Sequence, residues 1–162
     1  MACSNAASAE SSGVSFEHHD FQPITLVDVA GKAHEFHFTT RLLGDRVALD
    51  ATEIRGGEPR GLRFQMISLD PEGEPLALLG KLVERMKRTL ARKHIERGDL
   101  GLQITDDHVV RARIESDIEH SDRRPVVVID GQEIDWDEFG RMLMTFEGWQ
   151  FKMEIYDPSD ER

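Results

Sequence analysis

Long apolar runs are missing from this chain. No stretch reaches the roughly 20 consecutive apolar residues that a bilayer-spanning helix needs. Cysteine is almost absent as well. Cys3 is the only one, so an internal disulfide and a cysteine-based zinc site are both excluded. Basic residues are in deficit: 20 Lys and Arg against 31 Asp and Glu give a formal net charge of −11. That balance opposes bulk attraction to nucleic acid or anionic lipid. Catalytic signatures are lacking too. There is no G-x-S-x-G elbow, and the glycines of GGEPRG (56–61) are followed by neither a Lys-Ser/Thr pair nor a helix start. The first residues, MACSNAASAESSGVS, have no basic start and no apolar core of a secretory signal. The expected location is therefore cytoplasmic.

What is present is enough apolar material for a core: 39% of 162 residues, sufficient for one domain and too much for wholesale disorder. The charge is unevenly spread. Residues 74–97 hold seven bases and three acids and are +4, leaving −15 for the rest.

Residues 1–15 show no period and read as a disordered tail. Residues 16–157 read as a single α+β domain and 158–162 as a flexible C-terminus. ITLVDV (24–29), HEFHFTTRLL (34–43), RVALDATEI (46–54) and GLRFQMISL (61–69) alternate or are β-branched, and short turns separate them. This predicts an antiparallel meander. Asp70-Pro71-Glu72-Gly73 breaks it. Leu79, Leu82, Val83, Met86 and Leu90 then recur at helical spacing, predicting a long helix over about 74–97 ended by Gly98. Further strands are expected at 109–116, at 125–129 and, after an Asp130-Gly131 hairpin turn, at QEI. A short helix over 136–146 follows, burying Trp136, Phe139, Met142, Leu143 and Phe146. WQFKMEIY (149–156) closes the chain as an alternating strand. The expected fold is α+β and mostly antiparallel, with about 7–8 strands in the order ββββ-α-ββ(β)-α-β.

Five acids crowd residues 130–138, which invites a metal or acid–base site. Local structure accounts for four of them. Asp135 is placed as an N-cap and Glu138 as its capping-box partner. Ile134 and Phe139 form the hydrophobic staple. Asp137 faces the positive end of the helix dipole, and Asp130 belongs to the hairpin turn. Glu133 alone is left over. Counted from Asp130, the EF-hand glycine and glutamate positions hold Asp135 and Arg141, so that pattern fails. HEFH (34–37) spaces its histidines three apart on a strand, which sends them to opposite faces rather than to one zinc ion. His18-His19-Asp20 lacks a completing ligand. His94 suits a helix C-terminus, and His108 and His120 fall in polar loops. Gln150 and Lys152 with Asp130 echo a metal-nuclease spacing, but the spacing is common and a solvated strand face explains it.

The basic helix is the most suggestive surface. Lys81, Arg85, Arg88 and Arg92 are spaced four, three and four apart, on one face opposite the leucine stripe.

Three segments together, HEFHFTTRLLGDRVALDA, FQMISLDPEGEPLALLGKLVERMKRTLARKHIE and IDGQEIDWDEFGRMLMTFEGWQFKMEIYD, resemble a family of uncharacterised bacterial proteins, a domain of unknown function. The resemblance runs from about residue 22 to 157 and implies no activity and no catalytic residues. Some members of that family carry a cysteine-rich segment before the domain. Cys3 stands alone here, so no metal role is implied.

The expectation is a non-catalytic cytoplasmic module, without cofactor or metal, that binds a macromolecule or itself. A protein partner or a homodimer is expected through Lys81, Arg85, Arg88 and Arg92. The same ridge leaves nucleic acid open as a partner against the bulk charge, and no membrane is expected. One alternative is a small carboxylate- or metal-dependent hydrolase or nuclease built around Glu133. Another is an acidic inhibitor-like protein covering a basic partner.

Overall fold

Alternation sets the first sheet. β1 (Ile24–Val27), β2 (Ala33–Leu43), β3 (Arg46–Arg55) and β4 (Glu58–Ile67) pair antiparallel in sequence order. The computed structural model describes residues 21–69, 74–117, 124–158 and 160. The expected tail over 1–15, His18-His19-Asp20, the break at 70–73 and His120 lie outside the described residues. β2 turns His34, Phe36 and Thr40 inward, and β3 turns Leu49, Ala51 and Glu53 inward.

Helix α1 (Pro75–Leu90) covers this face. Proline at the start fits, since its missing N–H would have had no intrahelical partner. Leu82, Met86 and Leu90, one every four residues, are buried against Phe36, Leu49, Ala51 and Met66. Burying side chains of this size contributes about 1.5–3 kcal/mol each.

The helix stops at Leu90, short of the expected 97. Residues 95–98 instead form β5 (Ile95–Gly98), paired with β6 (Gly101–Ile104) in a hairpin closed by Gly98 opposite Gly101. The reason is tertiary. Ile95, Leu102 and Ile104 face a second core, and a helix through Gly98 would have pulled Ile95 out of it. His94 is consequently not at a helix end. It is buried, and its Nδ1 donates to the Val109 carbonyl at 2.8 Å.

The second core is built on β7 (Ala112–Ser116), β8 (Pro125–Ile129) and β9 (Gln132–Asp135), with β8 central. Val127, Val128 and Ile129 are all buried, which explains why this strand shows no alternation. Helix α2 (Trp136–Met144) packs on it through Met142, beside Ile95, Val127, Ile129 and Ile134. The class is α+β and antiparallel, with nine strands and two helices among the described residues.

Two expectations for the C-terminal part are corrected. WQFKMEIY is not a strand: residues 149–157 join none of the three sheets among the described residues. Alternation supplies a two-faced chain, but a strand also needs a neighbouring backbone to pair with. The helix also buries less than its stripe suggests. Met142 is buried and Phe139 and Phe146 are half-buried, while Trp136 and Leu143 are exposed. A small three-stranded sheet has too little area to cover the whole stripe.

Candidate interaction surface

The most unusual polar group in the molecule is interior. His34 is 1% exposed, with Nδ1 2.7 Å from Glu53 Oε1 and Nε2 3.0 Å from Asp28 Oδ2. Each carboxylate is further held. Asp28 accepts from Lys93 Nζ at 2.7 Å and from the backbone N–H groups of Ala30 and Lys32, both at 2.9 Å. Glu53 accepts from Arg55 at 2.8 and 3.0 Å and from the Leu62 N–H at 2.8 Å. Burial alone would raise the Asp28 carboxyl. Hydrogen bonds from Lys93, His34 and the Lys32 backbone outweigh it and hold the group well below the usual carboxylate range. Glu53 is likewise raised by burial and brought lower by Arg55, the Leu62 N–H and His34. An ionised carboxylate can only accept, so His34 serves these carboxylates as a donor.

This cluster has no spare chemistry. Both ring nitrogens are engaged by carboxylates, and a ring so deeply buried is out of reach of a substrate. It ties the β1–β2 turn, the start of β2, the C-terminal end of β3 and the residues after α1 together. A shallow groove of about 430 Å³ lies nearby, lined by Leu26, Val27, Asp28, Val29, Lys87, Leu90 and Ala91. Its lining is apolar except for Asp28 and Lys87, and the Asp28 carboxylate is already engaged by His34 and Lys93.

The same network joins the two cores. Glu53 lies at a break in the β3–β4 register. Gly61 (φ +93°) sits so close that an added Cβ would overlap the Glu53 carboxylate. Gly131 (φ +77°), in the β8–β9 turn, would put a Cβ 2.6 Å from the Arg55 guanidinium. Arg113 donates to the Gly61 carbonyl at 2.7 Å, and Asp130 accepts from the His94 and Ile95 N–H groups at 2.7 and 3.0 Å.

The carboxylates of 130–138 do not converge. Asp130 spans the turn and the start of β5, as above. Asp135 accepts from the Glu138 N–H at 2.7 Å, which caps α2. Ile134 is fully buried and Phe139 packs beside it. Glu133 pairs with Arg60 at 3.3 Å on the surface. Among the described residues no group of three or more His, Cys, Asp or Glu is arranged to hold a metal ion.

The four bases of the expected ridge have different environments. Lys81 and Arg88 are exposed on the helix, and Arg92 is exposed just beyond its end. Arg85 is half-buried. It donates to the Gln65 carbonyl at 3.1 Å, the Pro158 carbonyl at 3.2 Å and the Asp160 carbonyl at 3.5 Å. One member of the expected ridge is thus a clamp on the C-terminal segment.

That segment is the largest surface feature that sequence reasoning placed elsewhere. After α2, Gly148 (φ +87°) redirects the chain, and Trp149 packs edge-on against His108 and Phe146 with ring centroids 5.3 and 5.5 Å away. His108, unassigned in the sequence, thereby gains two aromatic partners. Arg85 holds the other end. Between these anchors Trp149, Phe151, Met153 and Ile155 are 64, 82, 63 and 76% exposed. Lys152 and Glu154, two apart, meet at 2.5 Å, so these two side chains lie on one side of the chain. Trp136, Leu143 and Met144 add exposed apolar surface on α2. A run of apolar side chains this exposed marks an interaction surface or an aggregation hazard rather than ordinary surface.

The molecule is thus an α+β protein with two small antiparallel cores joined by a buried ionic network. Residues 17–91 match the model of a domain of unknown function, DUF7686, and residues 94–160 match that of a second, DUF7713. The two matches meet at the turn after α1, where the first core ends and the second begins. No curated protein and no solved structure matches the chain. Among the described residues, no helix is long and apolar enough to cross a membrane.

Proposed function

We propose that this protein is a non-catalytic macromolecule-binding module whose contact surface is the apolar strip of residues 149–155 together with exposed residues of α2. The observation that carries this is the exposure of Trp149, Phe151, Met153 and Ile155 on a segment fixed at both ends. A pre-fixed apolar segment loses little conformational entropy on binding. Aromatic and Met side chains are also the types enriched in interface cores. The exposed Lys81 and Arg92 on the α1 side favour a partner with acidic groups beside its apolar ones. A cytoplasmic setting goes with this function, since a single cysteine leaves no internal disulfide to maintain.

The test is the double variant Phe151→Ser/Ile155→Ser. Both side chains are exposed, so unfolding stability should change by no more than about 0.5 kcal/mol. Association, with itself or with proteins cross-linked to it in its host, should fall at least ~10-fold, since ~1.4 kcal/mol of lost contact suffices. Unchanged association would sink the proposal. A large loss of stability would show instead that the segment is part of the core.

A further inference from the structure

We infer that the apolar strip pairs with the same strip of a second copy of this chain, antiparallel, with Met153 on the two-fold axis. The inference deepens the binding function proposed above and rests on it. The argument is the self-complementarity of WQFKMEIY. In an antiparallel pair centred on Met153, Phe151 lies opposite Ile155 of the second copy and Lys152 lies opposite its Glu154. Phe151, Met153 and Ile155 then share one face and Lys152 and Glu154 the other, while Trp149, packed on His108 and Phe146, lies outside this paired centre, opposite Asp157. The two ion pairs form symmetrically, each Lys152 exchanging the Glu154 of its own chain for that of the second copy, as an isologous contact requires.

The alternative registers are worse. Sliding by one step of two residues places Lys152 opposite Lys152 in one direction and Glu154 opposite Glu154 in the other. Like charges directly opposed destabilise a strand pair. A slip that changes the alternation would put Phe151 and Ile155 among charges. The segment meets the other requirements. It joins none of the three sheets among the described residues, and Lys152 and Glu154, two apart, already share a side. Two strands alone make a marginal ribbon, so the dimer needs further apolar contact, for which α2 keeps Trp136, Leu143 and Met144 exposed.

The experiment uses the full chain carrying Cys3→Ser, so that one introduced cysteine reports alone. Its mass is measured by sedimentation over a concentration series, and Met153→Cys is compared with Leu100→Cys for disulfide formation under mild oxidation. The expected result is a dimer whose Met153→Cys form cross-links at least ~10-fold faster, because residues opposed on a strand pair bring their Cβ atoms to ~5 Å, close to disulfide reach. Lys152→Glu and Glu154→Lys should each weaken the dimer, and the double exchange should restore it. A monomer throughout, or a dimer indifferent to both charge reversals, overturns the inference. A monomer whose strip still binds an apolar dye, lost in Phe151→Ser/Ile155→Ser, overturns self-pairing alone and leaves the broader binding function standing. A monomer that binds no dye overturns both.

Discussion

The two halves of the chain solve the same problem with unequal means. Residues 21–90 fold a four-stranded meander against a sixteen-residue helix, and that helix buries Leu82, Met86 and Leu90. The described residues of 94–160 form one two-stranded and one three-stranded sheet and a nine-residue helix, which buries Met142. The first half has apolar surface enough to bury even an ion cluster. The second leaves Trp149, Phe151, Met153 and Ile155 in solvent. The buried apolar residues of either half report on folding, and the exposed strip at the end of the second is the surface proposed above for binding.

The sharpest way to break this contrast is His34→Leu. It removes the donor shared by two buried carboxylates, and losing one partner of a buried ionic group costs about 3–5 kcal/mol. Urea unfolding should show that loss. A change below ~1 kcal/mol would mean that the cluster is not a stabilising centre.

Acid gives the next effect. Asp28 and Glu53 are both held below their ordinary values of 3.8 and 4.5. The stability they contribute is present above those values and lost as pH falls through the lower folded ones. Wild-type stability should hold from pH 7 to about 5 and decline below about 4. Glu53→Gln should be less stable at pH 7 and decline less steeply in acid. Parallel pH profiles for the two proteins would contradict the assignment.

The smallest effect lies in the second half. Asp135→Ala removes the cap of α2 and should cost about 1 kcal/mol. If both halves unfold in one transition, the same loss appears in probes of either core; if they unfold separately, Trp136 and Trp149 fluorescence, both reporters of the second half, will move alone.

Some of this architecture is written locally. The strand alternation, the Asp130-Gly131 turn, the Asp135 cap and the α1 stripe each depend on residues within a few positions of one another. The ion cluster had a sequence signal that is easily overlooked. Glu53 continues the inward parity of Leu49 and Ala51, and His34 that of Phe36. A charged residue at an inward position calls for a partner, but His34 and Glu53 are 19 residues apart, and nothing local specifies their meeting. Arg85 is similar: its spacing puts it on a basic face, whereas its carbonyl acceptors come from β4 and from Pro158 and Asp160.

The sequence by itself determined which segments are two-faced, where turns and caps fall, and which classes of protein are excluded. These follow from periodicity and short-range hydrogen bonding, which act within a turn or a strand. Tertiary structure alone decided where α1 ends, which charges are buried together, and that the most regular alternation in the chain stays outside every described sheet. Those outcomes depend on which distant surfaces compete for the same side chains. Ile95 was claimed by the second core, and no sheet in the described structure claimed Phe151, Met153 and Ile155.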